Sequence, residues 1–476
     1  MHVRTRSIRT AALLAALLLL GAPLGAQTSR PAQGRYARSV TQTGQSGASS
    51  TGIGATPGFA FPAATTITRH RTVVNGMAAY YYEGTLDPGT GFIEKFLFTV
   101  PLPRPSAPRP LLVVFHKFGS SHGDVFYNTT YLQQAIQRGW YLVCPLGAAQ
   151  NHFSSIESQV NTQFVLDWMT NHPAFKIDRT RVYGVGFSMG GGSVTNYAAR
   201  HVDPAHPMLA AIIDHSGGVA LKDTLLNDPF VQPIFDFWFG NGSAGSADPW
   251  KMERSSIVNF DNVTLQVEQD TDLARNLMHV PMRIVRASND TIPYLSRQSD
   301  VLHGHMLALG KVPGQSYGYY VLPYTGHSWS MLDEGAACDW LQQFTLKLPS
   351  SASTLADHDG AYFHFTVAQD QANAFSPFVW NADPAANRLS LSGTANLKRL
   401  TANTAELGFK TGQTLTVDFA PADGLGDEVA FSGWPLFPSN VLRDGVPWPA
   451  WSYNAVSKLL VLYELDGGAH TWKVTP

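Results

Sequence analysis

Residues 182–200 read VYGVGFSMGGGSVTNYAAR, with Gly186-Phe187-Ser188-Met189-Gly190 at their centre. An apolar run leads into the form Gly-x-Ser-x-Gly, and a helix-like mixture of small and apolar residues follows. Small residues on both sides of a serine let the backbone turn sharply from strand into helix and hold the hydroxyl clear of the sheet. The stretch predicts strand, tight turn and helix, with Ser188 as a nucleophile at the turn. A chain with 42 glycines also produces this pattern by chance in ordinary loops. The flanking strand and helix patterns decide for the turn.

A serine hydroxyl is a weak nucleophile until a base takes its proton, and the base needs an orienting carboxylate. Where the serine sits on such a turn, acid and base follow it in the order Ser, Asp or Glu, His. Residues 280–293 (VPMRIVRASNDTIP) read as a buried strand running into a polar turn, which presents Asp290 at its tip. Residues 319–327 (YYVLPYTGH) repeat the pattern and end on His327. One helix fits between them. Taken singly, Asp290 is a turn-capping acid and His327 a surface residue; their joint occurrence in this order selects them. Asp214, after residues 210–213 (AAII), is the competing acid, whereas Asp333 and Glu334 follow His327 and break the order. His201, His206, His303 and His305 read as surface residues of helical segments. His303 and His305 are two apart, which on a helix points their rings in different directions. No catalytic metal and no cofactor are expected.

Acyl transfer also needs two donors aimed at the developing oxyanion. The backbone N–H of Met189 is one candidate. The other is the N–H of Phe118, in the loop that follows the strand-like residues 111–116 (LLVVFH). Lys117, Phe187 and Trp329 are the candidates for substrate contact.

Together, Phe115-His116-x-x-Gly119, Gly186-Phe-Ser-Met-Gly-Gly191, Asn289-Asp-Thr-Ile-Pro293 and Thr325-Gly-His-Ser-Trp329 resemble the α/β-hydrolases. Within these they are similar to the secreted polyhydroxybutyrate depolymerase and feruloyl or acetylxylan esterase group, with a likeness to prolyl oligopeptidase-like catalytic domains. The resemblance covers about residues 68–350. It implies Ser188 as nucleophile, Asp290 as orienting acid and His327 as general base, acting on a small-molecule or polymeric ester. Lys117 departs from the His-Gly that usually begins the oxyanion loop in esterases. A side chain there narrows the approach or simply points to water.

Arg4, Arg6 and Arg9 precede the apolar residues 11–20 (AALLAALLLL), the form of a secretory signal peptide, with Gly25 and Ala26 as small residues at its end. The run is short for a membrane span. Residues 1–26 are therefore read as signal and the mature protein as secreted or periplasmic, without a membrane span. Charged residues make up 14% of the chain and the net charge is −2, which gives no electrostatic case for binding nucleic acid. Cys144 and Cys338 are expected to be buried and unpaired.

Residues 27–66 are rich in Ser, Thr and Gly and read as a flexible leader. Residues 67–350 alternate strand-like and helix-like runs, which predicts an α/β fold with a mostly parallel sheet and helices on both faces. Residues 221–278 interrupt that alternation with an aromatic-rich insertion, which is read as a cap or pocket wall. Residues 351–476 change to short alternating runs, which predict a small antiparallel β-sandwich. Trp434, Trp448, Trp451 and Trp472 there are candidates for a polymer-binding face or for the core. No site residue falls in this section, so chemistry is expected not to depend on it. The function this supports is a secreted serine esterase. A serine peptidase and a non-catalytic binding protein on the same scaffold are the alternatives.

Overall fold

A computed structural model describes residues 65–74, 77–240, 243 and 245–476. The expected signal segment and all but the last two residues of the expected leader lie outside the described residues. Thr66, the final residue of that leader, already belongs to a strand.

Among the described residues, nine strands form the first sheet: β1 (Thr66–Val74), β2 (Met77–Leu86), β3 (Glu94–Thr99), β4 (Arg109–Phe115), β5 (Tyr141–Pro145), β6 (Ile177–Phe187), β7 (Ala211–His215), β8 (Met282–Asn289) and β9 (Tyr317–Thr325). Their order is β1-β2-β3-β5-β4-β6-β7-β8-β9. From β5 across to β9 every neighbouring pair is parallel. β1, β2 and β3 pair antiparallel, and β3 joins β5 antiparallel. Parallel neighbours require crossovers, which the helices Tyr131–Arg138, Ile156–Asn171, Met189–Arg200 and Pro293–Ala308 supply. The pattern of β4 shows how the layers form. Leu111, Val113 and Phe115 enter the core on one face, while Leu112 and Val114 enter the core on the other. A strand covered on both faces reads as an unbroken apolar run. β1 is mostly exposed and is held by its ladder with β2 rather than by an apolar face.

The insertion between β7 and β8 contains the helices Leu221–Asn227, Gln232–Phe239 and Pro249–Ser255. Its aromatic residues divide. Phe235, Trp238 and Phe239 are buried in one cluster with Ala148, Phe153 and Met189, whereas Phe230 and Phe237 are exposed.

From Ser351 onward the chain builds a seven-stranded and a six-stranded sheet around a shared core. Two pairs are parallel, Arg388–Thr394 with Leu415–Pro421 and Leu397–Asn403 with Glu428–Ser432. The sandwich is therefore mixed, not purely antiparallel as expected. Trp434 and Trp472 are fully buried core residues and present no binding face, while Trp448 and Trp451 are half-buried. The sandwich packs on the first sheet's layer: Val202 and Met208 belong to its core, and the Phe363 N–H donates to the Val202 carbonyl at 2.8 Å. Cys144 and Cys338 are buried and unpaired. No described helix is long and apolar enough to cross a membrane.

Candidate active site

β6 ends at Phe187 and the helix Met189–Arg200 begins two residues later, so Ser188 alone makes the turn. Its backbone has φ 59° and ψ −123°, a conformation that costs energy for any residue with a Cβ. The surrounding glycines make the turn feasible. A Cβ on Gly186 would lie 1.8 Å from the Gly190 carbonyl oxygen, and one on Gly190 would lie 2.3 Å from the Phe115 carbonyl oxygen. The Ser188 N–H is anchored to the His215 carbonyl at 2.9 Å.

A strained serine on such a turn, at the carboxyl end of a central strand in this strand order, decides the architecture. The fold is that of the α/β-hydrolases. Among solved structures, the chain is similar to an S-formylglutathione hydrolase from Agrobacterium tumefaciens (14% identity, 58% of this chain and 98% of that one, TM-score 0.39). It is also similar to a ferulic acid esterase (14%, 60% and 98%, TM-score 0.37) and to the fluorophosphonate-binding serine hydrolase F of Staphylococcus aureus (14%, 59% and 98%, TM-score 0.36). No family model and no curated protein matches the chain.

The tips of β8 and β9 bring Asp290 and His327 together. His327 Nδ1 lies 3.0 Å from Asp290 Oδ2, while Asp290 Oδ1 accepts the Ile292 N–H at 2.8 Å. The two loops are tied directly, because the Gly326 N–H donates to the Asn289 carbonyl at 2.9 Å. Burial opposes ionisation of Asp290, but His327 and the Ile292 N–H outweigh it and hold its carboxyl below the usual carboxylate range. The other ring nitrogen of His327, Nε2, is buried and has no hydrogen-bond partner among the described residues. The ring rests on Phe187, one residue before Ser188, with centroids 4.4 Å apart.

Phe187 and Trp329, expected to touch substrate, are core residues at 0% and 3% exposure. Their rings are 5.1 Å apart behind His327, and the Trp329 indole donates to Asp124 Oδ2 at 2.8 Å. They pack behind the His327 ring and offer no surface to a ligand. Lys117 and Phe118 stand at the rim, Lys117 half-buried and Phe118 exposed.

Asp214 does not meet His327. It is fully buried, and a Cβ on Gly191 or Gly217 would lie 2.6 or 2.1 Å from its Oδ1. Among the described residues, neither of its oxygens accepts a hydrogen bond of ordinary geometry. Burial pushes its carboxyl up to about 7, and the nearby Gly217 N–H offsets part of that. His215 beside it is driven down to about 3, first by burial and then by the proximity of His327. His305, expected at the surface, is instead buried against Asp272 at 2.8 Å.

The helix Met189–Arg200 starts against the end of β4, as the Gly190 approach to Phe115 shows, so Met189 and the loop after His116 share one side of Ser188. Among the described residues, neither the Met189 N–H nor the Phe118 N–H donates to a protein acceptor. The Gly119 N–H donates to the Gln150 carbonyl at 2.8 Å, and His116 Nε2 lies 2.9 Å from the Leu146 carbonyl oxygen. Beyond Met189, Phe153 fills the wall, with its ring 5.3 Å from Phe118 and 4.9 Å from Phe235 of the insertion.

The sequence reading missed Glu94, fully buried at the start of β3 and pushed up to about 7 by burial against its hydrogen-bond donors. Its only signal was a carboxylate within the apolar stretch at residues 92–100. Of potential metal ligands among the described residues, Glu464, Asp466 and His470 lie within 4.8 Å of one another, in the sandwich. Asp444 and Arg443 already pair with that set, with His470 Nδ1 at 2.6 Å from Asp444 and Arg443 Nη1 at 3.0 Å from Asp466.

Proposed function

We propose that this chain hydrolyses carboxylic esters through Ser188, His327 and Asp290. The observation that carries the proposal is the Asp290–His327 pair, its outer nitrogen unpartnered among the described residues, whose ring rests on Phe187, the residue before a serine held in a strained turn. Asp290, kept ionised, would fix the imidazole with its proton on Nδ1 and leave Nε2 as the acceptor. His327 takes the Ser188 proton as the oxygen attacks the ester carbonyl, and the carbonyl oxygen becomes an oxyanion facing the Met189 and Phe118 amides. His327 then returns the proton to the departing alcohol. Water, deprotonated by the same nitrogen, releases the acid from Ser188.

The proposed substrate is an uncharged ester with an apolar portion, because the wall beyond Met189 is built from Phe153, Phe235 and Trp238. The arginines and apolar run of residues 1–20 support action outside the cytoplasm, and the sequence resemblance to polyhydroxybutyrate depolymerases and feruloyl or acetylxylan esterases supports polyester or plant-polymer esters. A fluorophosphonate probe, read by mass spectrometry of the Ser188 peptide, tests the nucleophile. A panel of p-nitrophenyl esters, feruloyl and acetylated sugars, a polyhydroxyalkanoate film and a prolyl peptide tests the bond. Folded protein that neither labels nor turns over any ester would overturn the proposal, and cleavage of the peptide alone would replace it with a peptidase.

A further inference from the structure

Glu94 lies far from the triad in sequence and takes no part in the chemistry proposed above. It is nevertheless the most heavily bonded buried carboxylate near the oxyanion loop. The Leu146 and Gly147 N–H groups donate to Oε1 at 2.8 and 2.9 Å; the Ala148 N–H and Asn161 Nδ2 donate to Oε2 at 2.8 and 3.1 Å. No ion pair among the described residues involves it. A buried carboxylate without a cation is costly unless its donors are held in place, and here three consecutive amides converge on it. They belong to a turn in which Ala148 adopts φ 72°, a conformation that a non-glycine residue keeps only when its surroundings enforce it.

That turn carries the oxyanion arm. The Leu146 carbonyl, in the same turn, faces His116 Nε2 at 2.9 Å, and the Gln150 carbonyl, two residues beyond Ala148, accepts the Gly119 N–H at 2.8 Å. The Phe118 amide lies between the two residues so held. We infer that Glu94 is a positioning residue for the oxyanion hole: it shapes residues 146–150, which in turn aim the Phe118 N–H. The inference rests on the ester-hydrolase reading for its catalytic consequence, and on hydrogen bonds alone for its structural one.

Glu94→Gln keeps the shape but sets an NH₂ group against backbone N–H donors, so the turn must shift. Asn161→Ala removes one donor and should act in the same direction more weakly, in a protein that folds if the first variant does not. Turnover of a p-nitrophenyl ester by Glu94→Gln is expected to fall about 10- to 100-fold with KM within about twofold, the mark of a donor that acts in the transition state. Affinity for phenylboronic acid, whose tetrahedral adduct places an oxygen in the same hole, should fall by the same factor as kcat/KM. Hydrogen exchange at the Gly119 amide should accelerate in both variants. Unchanged exchange there, or lost turnover with wild-type boronate affinity, overturns the inference. Accelerated exchange in a protein whose wild type binds no boronate upholds the link from Glu94 to the arm and refutes the ester-hydrolase reading instead.

Discussion

Asp357 Oδ2 lies 2.7 Å from Arg200 Nε, and both side chains are buried. Arg200 ends the helix that starts one residue after Ser188, and Asp357 belongs to the β-rich section beyond residue 350. Arg254 of the insertion donates to the same oxygen, while the Tyr362 hydroxyl donates to Oδ1 at 2.7 Å. Asn276 adds a second clamp: its Nδ2 donates to the Ala199 and Leu355 carbonyls at 2.9 and 3.0 Å, and its Oδ1 accepts the Leu355 N–H at 2.8 Å.

This contact argues against treating residues 351–476 as a separable targeting module. Asp357→Ala would leave two buried guanidinium groups unpaired, at a cost of roughly 3–5 kcal/mol. A clear fall in Tm is expected. A chain ending at Ser350 should be insoluble or inactive even on p-nitrophenyl acetate. Full turnover and a wild-type Tm in the truncated chain would show the section to be dispensable.

Ser188→Ala is expected to lower turnover by about 10³-fold or more without changing Tm greatly, since a triad member acts as part of one unit. Asp290→Asn should lose a comparable amount, because an amide cannot hold His327 with its proton on Nδ1. Asp214→Asn should stay close to wild type. Steady-state kinetics on one soluble ester separates these, and an essential Asp214 with a dispensable Asp290 would reverse the acid assignment.

Asp214 also predicts a pH dependence of stability. Its carboxyl is raised from 3.8 to about 7, so the folded protein keeps a proton that the unfolded chain has lost. That stabilisation is complete below about pH 4, declines as pH rises, and is gone above about pH 7. Asp214→Asn cannot ionise, so its Tm should match wild type near pH 4.5 and exceed it near pH 8. Thermal unfolding of both proteins at the two pH values checks this; a difference independent of pH would contradict it.

Phe153 lies between the rings of Phe118 and Phe235 and belongs to the apolar cluster around Met189. Phe153→Ala should destabilise the fold by roughly 3–5 kcal/mol through the cavity it leaves. The space opens beside Met189, the residue after Ser188. The ratio of kcat/KM for long over short p-nitrophenyl esters should therefore rise, and an unchanged ratio would place the acyl chain elsewhere.

The chain by itself determined the features that local sterics dictate. Gly186 and Gly190 are needed because neighbouring backbone passes where a Cβ would sit, and that requirement is visible as Gly-x-Ser-x-Gly. The apolar run of β4 announces a strand covered on both faces, since each alternate side chain meets its own core. What depends on which elements become neighbours was decided only by the tertiary structure. Asp214 and Asp290 both lie at the carboxyl ends of strands, and only the pairing of β8 with β9 sets Asp290 beside His327. Phe187 and Trp329 flank site residues in sequence yet pack behind them. Trp434 and Trp472 are candidates for face or core until two sheets close over them. Glu94 meets residues 146–148, and Asp357 meets Arg200, across long stretches of chain. A lone carboxylate carries no local mark of the amides or guanidinium groups that will compensate its burial, because those partners arrive only when the chain has folded.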